Sequence, residues 1–136
     1  MTKAEKQTLV AAAVGACARA VAPYSHFNVG AALKTRSGEI ITGANVESAS
    51  YGLTCCAERI ALFKALNEGH RDFVAVAVAA RKDGGATPCG ACRQLLSEYA
   101  PQATVLVVDS AHPKSIREFT MAELLPAAFL SVPGRR

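Results

Sequence analysis

Three cysteines fall in two short blocks, Cys56-Ala57-Glu58 and Pro88-Cys89-Gly90-Ala91-Cys92. One thiolate from the first block and two from the second could fill three corners of a zinc tetrahedron and leave the fourth for water. Three protein ligands and an open position describe a catalytic zinc, whereas structural sites are closed by four. Glu58 follows Cys56 by two residues. Side chains so spaced on a helix point in different directions, so Glu58 suits proton transfer over the open position better than ligation of the same ion. A positioned general acid–base group contributes about 10²–10⁴ in rate. Three thiolates against Zn²⁺ leave a net −1, which opposes ionisation of a bound water. Compensation is expected from helix N-termini, which also favour thiolates. Arg59, beside Glu58, is a further candidate to neutralise a ligand sulfur by hydrogen bonding.

The same residues admit other readings. Pro88 to Cys92 alone also fits a redox pair near a strand–helix–strand unit; the Cys56-Ala57-Glu58 block shifts the balance to metal. A closed structural zinc would need Cys17, Cys55 or a histidine as fourth ligand. Cys55 adjoins Cys56 and is expected to be a separate thiol, and Cys17 a core residue. His26, His70 and His112 have no ligand spacing with the cysteine blocks and read as surface or turn residues. Five cysteines, an odd number, grouped in this way fit metal binding in a reducing, cytoplasmic compartment better than a disulfide frame.

The elements that must carry these residues follow from periodicity and turn chemistry. The chain opens with a helix over Lys3 to Ala20, ending before Pro23. A lipoprotein-like signal is the alternative there, since Lys3 and Lys6 precede an apolar stretch and Val14-Gly15-Ala16-Cys17 loosely resembles a cleavage box. Glu5, Arg19 and the alanine content argue for the helix. Asn28–Leu33 and Glu39–Val46 flank a turn at Gly38 and predict a hairpin. Cys55–Glu68 predicts a helix with Ile60, Leu62, Phe63 and Leu66 as its buried stripe and Gly69 as C-cap. Phe73–Ala80 and Thr104–Val108 read as strands covered on both faces. Thr87 and Pro88 read as N-cap and first residue of a helix over Cys89–Tyr99. Met121–Leu125 is a helical turn. Two strand–helix–strand passages imply parallel pairing with right-handed crossovers, and a mixed sheet with helices on both faces is expected.

Composition bounds the classes. A chain of 136 residues fits one domain over 1–136. Apolar residues at 51% and charged ones at 19% exclude a disordered composition. The net charge of +4 is spread out, without a basic run, which reads as a solvated surface rather than a nucleic-acid footprint. Trp is absent, and stacking platforms for single strands are scarce. No stretch is long and uninterrupted enough to span a membrane. The tail after Phe129, ending Gly134-Arg135-Arg136, is expected to be mobile.

At the two cysteine blocks the chain resembles the zinc-dependent deaminase superfamily, whose signature pairs H-x-E or C-x-E with P-C-x-x-C. It is most similar to the small three-cysteine cytidine deaminases of pyrimidine salvage. Pro23–Leu33, Gly43–Tyr51, Cys56–Arg59, Pro88–Gln94 and Leu124–Phe129 carry that likeness over nearly the whole chain. The resemblance implies a three-layer α-β-α sandwich on a mixed five-stranded sheet, one Zn²⁺ per subunit on Cys56, Cys89 and Cys92, and Glu58 as proton shuttle. It implies sugar contacts from Asn45 and Glu47, and further nucleoside contacts from Phe27, Val46 and Ala57. It implies a homotetramer in which Tyr51 sits at an interface and Phe129 reaches a neighbour's pocket. The implied reaction is hydrolysis of cytidine and 2′-deoxycytidine to uridine and 2′-deoxyuridine with release of ammonia. The runner-up is deamination of an aminonucleoside antibiotic such as blasticidin S.

Overall fold

In the computed structural model, which describes residues 1–134, five strands form one sheet in the order β2-β1-β3-β4-β5. The chain runs α1 (Lys3–Ala16), β1 (Val29–Thr35), β2 (Ile40–Ala44), α2 (Ala57–Asn67), β3 (Phe73–Ala80), α3 (Gly90–Tyr99), β4 (Thr104–Asp109), β5 (Arg117–Thr120) and α4 (Met121–Leu124), with 3₁₀ turns at Cys17–Arg19 and Tyr51–Leu53. The expectation of mobility at Arg135 and Arg136 lies outside the described residues.

The sheet separates two cores. Leu9, Val10 and Ala13 of α1 pack on Ala32, Ala75, Ala77, Ala79, Leu106 and Val108. This face is floored with small side chains, and the helix therefore comes very close. At Gly30 a Cβ would lie 2.0 Å from the Ala13 carbonyl oxygen. The opposite face presents Leu33, Val76, Val78, Val105 and Val107 to Ala61, Leu62 and Ala65 of α2 and to Leu96 of α3. The expected α-β-α layering is therefore found. Thr2 and Glu5 form a reciprocal capping box that starts α1.

Several local expectations need correction. Cys56 and Cys89 lie outside the helices, as extended N-cap residues of α2 and α3. The buried stripe of α2 is Ala57, Glu58, Ala61, Leu62 and Ala65, and Phe63 faces outward at 42% exposure. Alanines win there because the helix lies against β2, where Gly43 leaves no room for larger side chains. Only one of the two crossovers produces a parallel pair, β3 with β4. β1 lies between β2 and β3, antiparallel to both. The edge strand β5, Arg-Glu-Phe-Thr, has too few apolar residues to announce itself.

This topology brings the two cysteine blocks together. Because β1 is antiparallel to both neighbours, β2 and β3 run in the same direction and end at the same edge. The helices that follow them, α2 and α3, start there side by side. Carboxyl ends of strands flanking such a change of order are the usual place for a ligand crevice.

Candidate metal centre and active site

The sulfurs of Cys56, Cys89 and Cys92 all lie within 4.8 Å of one another, and among the described residues these three form the group. The Cys56–Cys89 separation is 3.6 Å and the Cys89–Cys92 separation 3.5 Å. A tetrahedral Zn²⁺ with Zn–S bonds of about 2.3 Å sets its sulfurs about 3.8 Å apart. A disulfide would hold two of them at about 2.05 Å, and all the cysteines are free. The donor set, the spacing and the unsealed fourth direction fit zinc.

Local structure explains the convergence. Cys89 caps α3 and Cys92 is its third residue, so the first turn places both sulfurs on one side. Cys56 caps α2, and no backbone N–H of either helix start is satisfied by a cap side chain. Two positive helix ends therefore face the three sulfurs. The Arg59 guanidinium donates to Cys56 Sγ at 3.4 Å and to the Thr54 carbonyl at 3.4 Å. The hydrogen bond from Cys92, aided by Arg59 and Cys89 and opposed by burial, brings the Cys56 thiol down to about 5. Cys92, the partner in that bond and itself buried, moves up. Burial raises the Cys55 thiol, opposed by the Arg59 charge and reinforced by Cys56 and Glu58.

Glu58, the second residue of α2, is 5% exposed. Burial pushes its carboxyl up to about 7, and the neighbouring Cys56 thiolate adds to the rise. A carboxyl poised near neutrality can both take and give a proton. It lines a cavity of about 230 Å³ together with Phe27, Asn45, Thr54, Ala57 and Cys89. Cys56, Val29, Val78, Ala86 and Thr87 complete the walls. Thr54 also borders a larger neighbouring cavity of about 350 Å³ that contains Tyr24, Ser25, Glu47, Ser48 and Tyr51. The larger cavity does not touch the sulfurs; the chemistry belongs to the smaller one.

Phe27, Asn45 and Ala57 therefore line the cavity of the cysteines, while Glu47 and Tyr51 line the adjoining one. Val46 lines neither: it is exposed, and its backbone exchanges hydrogen bonds with Cys55 at 3.0 and 2.8 Å. Phe129 is also exposed and apart from both cavities, its carbonyl accepting from Gln94 at 2.6 Å. Asn45 is already bonded on both ends of its amide. Its Oδ1 accepts from the Val29 N–H at 2.8 Å and its Nδ2 donates to the Phe27 carbonyl at 2.9 Å. Glu47 Oε1 accepts from the N–H groups of Tyr24 and Ser25 at 3.0 and 3.1 Å, and Oε2 accepts from the Ser25 hydroxyl. That hydroxyl, with the Ser25 amide, holds the Glu47 carboxyl below its ordinary range. Asn45 retains one N–H and one Oδ1 lone pair, and Glu47 an Oε2 lone pair. Sequence reasoning assigns Ser25 and Thr54 no role at the site and Thr87 only that of a helix cap; Thr54 stands two residues before Cys56 and Thr87 directly before Pro88, which was the available signal for the two threonines.

Residues 3–108 match the family described as "Cytidine and deoxycytidylate deaminase zinc-binding region". The chain is 50% identical to a cytidine deaminase of Halalkalibacterium halodurans over 125 residues, which is 92% of this chain and 94% of that one. It superposes on the crystal structure of cytidine deaminase from Burkholderia pseudomallei with a TM-score of 0.86 at 46% identity, covering 90% of this chain and 97% of the other. It is also 36% identical to a blasticidin-S deaminase of Bacillus cereus over 111 residues, 75% of this chain and 76% of that one.

Proposed function

The chain belongs to the cytidine and deoxycytidylate deaminase family, and we propose on that premise that it acts on 2′-deoxycytidine as well as cytidine. It is a zinc-dependent hydrolytic deaminase of cytidine. The observation that best supports the assignment of its residues is the convergence of three sulfurs beside a buried carboxyl.

Cys56, Cys89 and Cys92 would hold the ion. Zinc bound by such a set supplies the Lewis acidity that lets water act as a nucleophile near neutral pH. Glu58 takes the proton from the attacking water and delivers it to ring N3, as attack at C4 converts the ring to a tetrahedral adduct. It then carries a proton to the departing amino group, and ammonia leaves. The high carboxyl pKa of Glu58 suits both directions of transfer. Ala57 and Phe27 bound the base, and Asn45 and Glu47 offer a donor and an acceptor to the sugar hydroxyls. Arg59 offsets the charge of the thiolates.

The place of this activity is pyrimidine salvage in the cytoplasm, with the enzyme a homotetramer. Support for assembly comes from large apolar side chains left in solvent: Tyr51 is 81% and Phe129 64% exposed. No helix among the described residues is long and apolar enough to cross a membrane. An aminonucleoside antibiotic is the second substrate class, supported by the Bacillus cereus relative at lower identity and coverage than the cytidine deaminases. The decisive experiment incubates purified protein with cytidine and follows the ultraviolet absorbance change of deamination, then repeats it after chelation and after zinc is restored. Turnover that follows zinc is expected. A zinc-loaded protein inert toward cytidine but active on blasticidin S would transfer the assignment to the second class.

A further inference from the structure

Glu47 has two unequal oxygens. Oε1 is saturated by the N–H groups of Tyr24 and Ser25, at 3.0 and 3.1 Å. Oε2 has one protein partner, the Ser25 hydroxyl, and so keeps capacity for a ligand. The Ser25 oxygen is itself held, because it accepts the N–H of Phe27 at 3.0 Å. With a lone pair so engaged, the hydroxyl proton is directed at Oε2 rather than rotating freely. A single oxygen atom thus ties the carboxylate assigned to the sugar to the aromatic residue assigned to the base. Between them His26 is held at φ +58°, a left-handed conformation uncommon outside glycine, with its N–H on the Ala22 carbonyl at 3.0 Å. The loop geometry is thereby specified at both ends.

We propose that Ser25 is a positioning residue for substrate: it aims the free lone pair of Glu47 Oε2 at a sugar hydroxyl and fixes the backbone that carries Phe27 from the same atom. This rests on the reading of Glu47 as the sugar contact. Without Ser25 the carboxylate keeps its two N–H partners on Oε1 but Oε2 is free to turn, and orienting it again is charged to binding rather than to the chemical step.

The test compares wild type, Ser25→Ala and Ser25→Thr, all zinc-loaded, on cytidine and on 2′,3′-dideoxycytidine, which has neither sugar hydroxyl. Ser25→Ala is expected to raise KM for cytidine roughly tenfold while kcat moves less than about twofold, as for loss of one charge-assisted hydrogen bond made equally in ground and transition states. With the dideoxy substrate the rise should shrink to below about threefold, the part carried by Phe27 alone. Ser25→Thr, which keeps the hydroxyl, should restore KM. In a Glu47→Ala background the Ser25→Ala change should add little. An unaltered KM, an equal rise with both substrates, or additive losses would overturn the proposal. Wild-type turnover of cytidine with an indifferent Ser25→Ala refutes this inference alone, whereas an inert wild type refutes the reading beneath it as well.

Discussion

Replacing Gly43 by alanine tests how tightly the catalytic helix is seated. Gly43 lies in β2 opposite Ala31 of β1, under the first turns of α2. A Cβ there would sit 2.5 Å from the Ala61 nitrogen and 2.7 Å from the Ala57 carbonyl oxygen. Both are backbone atoms and neither can rotate away. Ordinary contact begins near 3.4 Å, so the turn between Ala57 and Ala61 must retreat by about 0.9 Å. That turn carries Glu58 and adjoins Cys56. Overpacking of this kind costs about 1–3 kcal/mol, which for a domain of this size lowers Tm by roughly 3–10 °C. Displacement of a catalytic group by about 1 Å costs about 10²-fold in rate. The variant should therefore remain folded, lose about 10²-fold in kcat/KM and melt earlier. Gly15→Ala is the control. A Cβ at Gly15, in α1, meets nothing within 4 Å, and the change should raise stability by up to about 1 kcal/mol through helix propensity, with activity intact. Scanning calorimetry, zinc content and steady-state deamination report all three quantities. A Gly43→Ala protein with wild-type Tm and kcat/KM would refute the seating of α2 on β2.

Three further outcomes are expected. Glu58→Ala should keep zinc and fold but lose at least about 10²–10⁴ in kcat; near-normal turnover would remove Glu58 from proton transfer. Cys89→Ser should lose zinc and melt earlier, since metal binding between α2 and α3 contributes to folding; full zinc occupancy by elemental analysis would contradict the ligand set. Glu5 is held at about 2, against an ordinary 4.5, by Lys34 and by its capping partner Thr2. Its folded pKa is depressed, so its stabilisation is present above about 4.5 and is lost as pH falls toward about 2. The Tm difference between wild type and Glu5→Gln should therefore narrow over that interval, and a difference independent of pH would count against the Lys34–Glu5 pair.

The sequence by itself determined the atoms available for chemistry and the elements whose signals are local. Cys89 and Cys92 share a helix start because Thr87 and Pro88 announce one and three positions span a single turn, although the cap falls at Cys89 rather than at Thr87. The Phe73–Ala80 run forms its strand with the bounds its composition implies, and Gly38 turns the hairpin at φ +103°. Deamination was legible because the C-x-E and P-C-x-x-C blocks together are far more specific than either alone.

What depended on distant partners was not legible. Cys56 and Cys89 are 33 positions apart, and their 3.6 Å approach exists because β1 inserts antiparallel between β2 and β3. That insertion is a matter of strand order, which no periodicity records. The same holds for Phe63, turned outward while small alanines face a glycine, and for β5, which forms because β4 offers an unpaired edge. Asn45 and Glu47 are bonded to the Tyr24–Val29 loop and still keep hydrogen-bonding capacity for a ligand. Hydrogen-bonding capacity is a property of residue type, but how much of it remains for a ligand depends on which groups the folded chain has already brought within reach.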